Sequence, residues 1–301
     1  MLVIAFEPNT LVGGYGDRVV GLIAVYLMAK LLKRDFRILW TKENISSAID
    51  LGPLGYRGHP IQTRVDSIDS VDKLRILLRN APNPFPKSPT LLTVNQEISH
   101  HLYANPRFAL DSFLLDIQDA YQRLYTELLP PTPALEARAA AFATMEGIPQ
   151  IGIQIRCGDV YMKTNFKTTH CVVPDAANSV PQILANIKHH IEQSFSSYTV
   201  FVTSDWRGAI GVAKELFGDD CVRGVDEEVQ HLDRPKIASL DKVFLDNYVL
   251  ATQCSRLYIS LASNYGRIAA LASPPTTQIF DLNALSLARS ILVSKETLDL
   301  S

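Results

Sequence analysis

The stretch GGYGDR, Gly13 to Arg18, stands between a short apolar run, LVIAF (Leu2–Phe6), and a long one beginning VVGLIAVYLMAKLL at Val19. A strand over Leu2–Phe6, a glycine-rich turn, a helix over Val19–Leu32 and a second strand over Phe36–Trp40 form a βαβ pattern. Such a unit implies a parallel sheet with a right-handed crossover. The helix is apolar nearly all round, so it is expected to be buried on most faces. Three glycines in four residues mean that something approaches this backbone closely. A dinucleotide, a phosphate group, an acceptor molecule and a neighbouring helix all satisfy that requirement.

The dinucleotide fingerprint G-x-G-x-x-G is incomplete here. Gly14 and Gly16 fit it, but the third position is Val19, and Glu43 lies too far on to be the expected ribose-binding acid. An NAD-dependent oxidoreductase is therefore disfavoured, and tight packing of helix on strand is the plain structural reading. A strand–glycine turn–helix unit nonetheless leaves backbone N–H groups and a positive helix end beside any anion.

The chain has 301 residues, 47% apolar and 20% charged, with a net charge of −2. That length suggests roughly two domains, and the charge balance offers no general attraction for nucleic acid. The start MLVIAFEPNT resembles no signal peptide, and no uncharged apolar run reaches the ~18 residues of a membrane span. A cytoplasmic protein is expected. Cys157, Cys171, Cys221 and Cys254 form no CxxC pair, so reduced thiols are expected and a metal site is not.

Farther along, a helix is expected from Ser70 to Arg79, a loop over NAPNPFPKSP (Asn80–Pro89), and one long helix over 107–129. The second half alternates regularly. Strands are expected over Gln150–Arg156, Tyr198–Ser204, Arg256–Ser260 and Thr277–Leu282. Helices are expected over Val180–Ser194, Arg207–Phe217, Leu240–Gln253 and Tyr265–Ala272. This is a doubly wound α/β pattern. The connection between domains is placed near 130–148, giving domains over 1–140 and 141–301 with a cleft between them.

Four motifs carry candidate chemistry. IGIQIRCGD (Ile151–Asp159) is a buried strand ending in Arg156 and a glycine turn with Asp159. An arginine beyond a strand's carboxyl end suits a phosphate, though a structural Arg156–Asp159 pair explains it equally. VFVTSD ends a strand in Asp205. In KVFLDNYVLATQ, Asp246 falls among apolar neighbours, where it could accept from guanine N1–H and N2–H or pair with a nearby Lys or Arg. In LASNYGRIAALA, Ser263 and Asn264 are either helix caps or phosphate-binding groups.

Together these motifs resemble the GDP-fucose-dependent fucosyltransferase superfamily of α1,2- and α1,6-fucosyltransferases, Nod-factor fucosyltransferase and plant xyloglucan fucosyltransferase. IGIQIRCGD is similar to its first motif, H/Q-x-R-x-x-D, with Gln154 in the form the plant branch carries. GYGDRVVGLIAVYLMAKLLKR, TSD and SNYGRIA resemble its other motifs, in the same order; residues 45–125 are unmatched. The resemblance implies a GT-B fold of two Rossmann-like domains. It implies an inverting, metal-independent transfer of L-fucose from GDP-fucose to a glycan hydroxyl, with no cofactor beyond the donor substrate. Arg156 would bind the β-phosphate, Asp159 would support its loop, and Gln154 and Asp246 would recognise guanine. Ser263 and the Asn264 N–H would hold the pyrophosphate. Asp205 belongs to the same donor-binding set, and Gly14, Gly16 and Arg18 would form the facing wall. The stretch VYMKTNFKTTHC directly after Asp159 holds no acid to serve as base; His170, Asp175 and Glu7 are candidates by chemistry only. Another GDP-sugar, or an inactive GDP-sugar-binding homologue, remains open as an alternative.

Overall fold

A computed structural model of the chain describes residues 1–8, 13–42, 44–66, 71–81, 83–105, 107–108, 112–158, 173, 175–224, 241–282 and 284–285. The chain divides into two compact units, Met1–Thr132 and Pro133–Glu296. Each is built on a parallel sheet, as the βαβ pattern requires.

In the first unit β1 (Leu2–Phe6) is followed by α1 (Tyr15–Leu31), β2 (Phe36–Trp40), β3 (Thr63–Asp66), α2 (Val71–Asn80), β4 (Thr90–Thr93), α3 (Ser99–Tyr103) and α4 (Phe113–Gln122). The strands lie in the order β2-β1-β4-β3, all parallel, with Leu2 opposite both Phe36 and Thr90. β1 is buried at every position. A continuous apolar run is what a strand covered on both faces needs.

α1 is buried on most of its faces, as expected. It begins a turn earlier than Val19, because Asp17 accepts from the Gly14 N–H at 3.1 Å and closes the helix start. Gly13 has φ +74°, a left-handed conformation that favours glycine. Gly16 therefore lies inside the helix, not in the turn. The close approach that matters for packing is at Gly21, where a Cβ would run into the Val94 carbonyl oxygen leaving β4.

The expected helix over 107–129 is instead α4 followed by a wider π turn, Leu124–Leu128. Leu129 N bonds back five residues to the Leu124 carbonyl at 2.7 Å. Pro130 and Pro131 come next and cannot continue a helical ladder. The π turn also brings Tyr125 Oη to 2.9 Å from Tyr15 Oη, at the start of α1.

The second unit runs α5 (Pro133–Ala140), β5 (Gln150–Ile155), α6 (Ala176–Glu192), β6 (Thr199–Ser204), α7 (Gly208–Phe217), β7 (Val222–Arg223), α8 (Asp241–Gln253), β8 (Arg256–Ile259), α9 (Asn264–Ala272) and β9 (Gln278–Asp281). Its strand order is β7-β6-β5-β8-β9, all parallel. The order reverses between β5 and β8, which defines the crevice where open α/β sheets bind ligands. The core is formed by Ile151, Ile153 and Ile155 of β5 with Val180, Leu184 and Ile187 of α6 and Val200 and Val202 of β6. The division between units falls at Thr132/Pro133. α5 goes with the second unit, where Arg138 Nη1 meets Asp241 at 3.3 Å and Gln253 donates to the Ala139 carbonyl at 2.9 Å.

Between β4 and α3, one oxygen of Glu97 accepts from the Ser99 N–H at 2.6 Å and from the Ser99 hydroxyl. Its Oε2 is enclosed with no hydrogen-bond partner among the described residues. Burial pushes this carboxyl up to about 7, against the opposing Ser99 bonds. The folded chain thus holds the Glu97 proton more tightly than the unfolded chain does. Its contribution to stability is best below the ordinary carboxylate range and is lost as pH rises towards 7. Between pH 4.5 and 8 the wild type is expected to lose about 1–3 kcal/mol relative to Glu97→Gln. Thermal melts of both proteins across that range measure this, and parallel curves would refute it.

Candidate functional site at the carboxyl end of β5

β5 is the central strand of the second sheet, and its chain leaves the sheet as Arg156, Cys157 and Gly158. This loop is strapped to the strands on both sides. On the β8 side, the Arg156 N–H donates to Ser260 Oγ at 3.0 Å. On the β6 side lies Asp205, the residue after Ser204. One of its oxygens accepts from the Cys157 N–H at 2.6 Å; the other accepts from the Gly158 N–H at 2.8 Å and from Arg156 Nη1 at 2.6 Å. Burial raises the Asp205 carboxyl above its usual range, opposed by the Arg156 charge and by the Cys157 and Gly158 N–H groups. The three donors are what make an ionised carboxylate tolerable at 6% side-chain exposure.

Asp205, expected in the donor-binding set, turns both oxygens to the 156–158 loop and orients Arg156. Arg156 has a carboxylate partner in Asp205. Asp159 and His170 lie outside the described residues.

Gln154 is 3% exposed. Its Oε1 accepts from the Ser260 N–H at 3.3 Å, and that N–H also reaches the Gln154 carbonyl at 3.2 Å. Helix α9 lies directly above, and a Cβ on Gly266 would run into Gln154 Oε1. The side chain thus ties β5 to β8 and seats α9. At the start of α9, Ser263 is the N-cap residue in an extended conformation, and its hydroxyl makes no bond to the first turn. Its N–H donates to the Ser260 carbonyl at 2.9 Å. Asn264 Oδ1 accepts from Arg267 Nη2. Arg156, Ser260, Ser263 and Asn264 are therefore grouped at the β5/β8 switch point, with the positive end of a nine-residue helix among them.

Asp246 takes the pairing alternative. Its Oδ2 accepts from Lys242 Nζ at 2.6 Å, one turn back on α8, and from Thr203 Oγ1 at 2.7 Å, at the end of β6. The ion pair is enclosed, with side-chain exposures of 6% and 3%. Asp175 sits just before α6, where Asn178 Nδ2 donates to its carboxylate at 2.6 Å.

Gly14, Gly16 and Arg18 belong to the first unit. Arg18 is fully buried. Its Nε donates to the Gly13 carbonyl at 3.2 Å, and the guanidinium lies 5.9 Å and 5.5 Å from the Phe6 and Trp40 ring centres. It braces the glycine turn through that hydrogen bond and lays its charge over the two rings, away from solvent. The reading of the sequence missed Ser260 and Thr203, whose only signal was a hydroxyl at a strand's carboxyl end. Lys242 was legible as the i−4 partner of Asp246. Among the described residues no group of three or more His, Cys, Asp or Glu is placed to hold a metal ion, and no helix is long and apolar enough to cross a membrane.

No protein-family model matches the chain, and no curated protein matches it. Solved structures do. A GDP complex of a variant of Arabidopsis thaliana FUT1 superposes with TM-score 0.61 at 14% identity, over 93% of this chain and 69% of that one. The fucosyltransferase NodZ from Bradyrhizobium gives 0.59 at 17%, over 95% and 97% of the two chains. POFUT1 in complex with GDP-fucose gives 0.51 at 11%, over 92% and 97%. At these identities the likeness speaks for architecture: the chain has the fold of these three solved proteins, along more than nine-tenths of its length.

Proposed function

We propose that this chain is an inverting, GT-B-type glycosyltransferase that moves L-fucose from GDP-fucose to a glycan hydroxyl. The observation that carries the reading is the group at the β5/β8 switch point. An arginine is held by a buried carboxylate beside a helix N-terminus whose capping serine makes no capping bond. The fold is that of proteins solved with GDP or GDP-fucose.

In this reading the diphosphate lies between Arg156 and the start of α9. Arg156 binds the β-phosphate, while Ser263 and the Asn264 N–H hold the other phosphoryl oxygens. The acceptor hydroxyl attacks the anomeric carbon from the side opposite GDP. The transition state is oxocarbenium-like, and negative charge builds on the leaving diphosphate. A fixed guanidinium and helix N–H groups stabilise that charge without reorganising. Asp205 and Ser260 act one step back, holding Arg156 in place. Guanine recognition by Asp246 takes the form of an exchange, in which base N–H groups replace Lys242 or Thr203 on the carboxylate. Gln154 supports this end of the sheet by fixing Ser260. The reading requires no resident cofactor and no metal.

Titration calorimetry with GDP, GDP-fucose, UDP and NAD separates the classes. GDP and GDP-fucose are expected to bind, with UDP and NAD at least about tenfold weaker, a difference of 1.4 kcal/mol. Comparable binding of all four would remove the guanine assignment. Preference for NAD would return the glycine turn to a dinucleotide role.

A further inference from the structure

Asn247 follows Asp246 on α8 and faces a different element. Asp246 turns to the end of β6 through Thr203, whereas Asn247 Nδ2 donates to the Tyr265 carbonyl at 2.8 Å, in the first turn of α9. Asn247 is fully buried. An amide enclosed in mid-helix costs stability unless it is hydrogen-bonded, and asparagine is a poor helix former. An aliphatic side chain would carry neither cost. What the amide supplies is a fixed spacing between α8 and the start of α9. A second bond makes the same link in the other direction: Tyr265 Oη donates to the Val243 carbonyl at 2.8 Å, one turn back on α8. On the sheet side, Gly266 lets α9 lie against Gln154, where a Cβ would collide.

The support is firm. Val243, Phe244, Leu245, Val249 and Leu250 of α8 are buried, and Gln253 near its end donates to the Ala139 carbonyl. The turn so fastened carries Ser263 at its head, 7% exposed with no capping bond, and the positive end of the helix. Donors for an anion work best when they do not reorganise on binding. We infer that Asn247 is a positioning residue for the diphosphate. With Tyr265 it holds the first turn of α9 where Ser263 and the helix N–H groups meet the phosphoryl oxygens. The inference rests on the GDP-sugar reading of this site and deepens it. Asp246 serves the base and Asn247 the diphosphate, so consecutive residues of one helix hold the two ends of one ligand.

Calorimetry with GDP, inorganic pyrophosphate and guanosine reads the two ends of the ligand apart. Asn247→Leu is expected to weaken GDP and pyrophosphate by about tenfold each, 1.4 kcal/mol, with guanosine within about twofold of wild type. Tyr265→Phe keeps the ring and removes only the bond to Val243, so it should act in the same direction by about threefold. Asp246→Asn should give the mirror pattern, losing guanosine and GDP while pyrophosphate is kept. Circular dichroism checks the fold, and Tyr265→Phe alone decides if Asn247→Leu does not fold. Two results overturn the inference: variants that bind GDP within about 1.5-fold of wild type, or variants that lose guanosine by the same factor as GDP. The second would mark a general loosening of the unit. Failure of the GDP-sugar reading looks different, since the wild type itself then binds neither GDP nor pyrophosphate.

Discussion

Arg156→Ala is expected to reduce fucosyl transfer by about a thousandfold while leaving the folded structure intact. Removing one preorganised donor from a developing oxyanion costs ~10²–10³ in rate. Arg156 contributes a full charge and a planar fork besides. The fold should survive, because Asp205 keeps two backbone donors, the N–H groups of Cys157 and Gly158, when the guanidinium is gone. Arg156→Lys should recover part of the loss, since lysine restores the charge but not the two-pronged geometry. Turnover rates, with circular dichroism as the control for folding, measure this. Wild-type turnover in Arg156→Ala would remove Arg156 from the mechanism.

Asp205→Ala is expected to have the largest effect on stability, a loss of about 3–5 kcal/mol. The substitution removes at once the acceptor used by the Cys157 N–H, the Gly158 N–H and Arg156 Nη1. A buried backbone donor that loses its acceptor costs about 1–3 kcal/mol, and two N–H groups are affected here along with the ion pair. Asp205→Asn should be milder, as its carbonyl oxygen can still accept from the loop. Urea unfolding of the three proteins measures the difference. A destabilisation below about 1 kcal/mol for the alanine variant would mean the loop is held by other contacts.

The second unit was the more legible half. β5, β6 and β8 are buried strands bounded by polar turns, and their limits lie within a residue of those expected. Isoleucines at every second position of β5 and the apolar runs VFV in β6 and LYI in β8 leave little choice once both faces must be covered. In the first unit β3 and β4 are four-residue strands, TRVD and TLLT, too short to show a period. Their place in the sheet comes from pairing with β1 and with each other, which is tertiary and non-local. The helix expected over 107–129 begins at Phe113 and widens into a π turn ahead of the paired prolines.

The site divides the same way. Residue types at strand ends were readable, so Arg156, Ser263 and Asn264 fall together at one switch point. Partnerships across strands were not. Asp205 bonds to a loop almost fifty positions earlier in the chain, and neither motif contains a sign of that. Arg18 shows the opposite limit. A charged residue after a glycine turn reads as a ligand for anions, yet two aromatic rings from β1 and β2 give it a buried place that only the folded sheet creates.

The central claim is that the carboxyl end of the second sheet is a GDP-sugar site. Calorimetric titration of the wild type with GDP tests it most directly. The account predicts saturable binding with a Kd between about 1 μM and 1 mM, weakened at least about tenfold in Arg156→Ala. No detectable heat at millimolar GDP would contradict it.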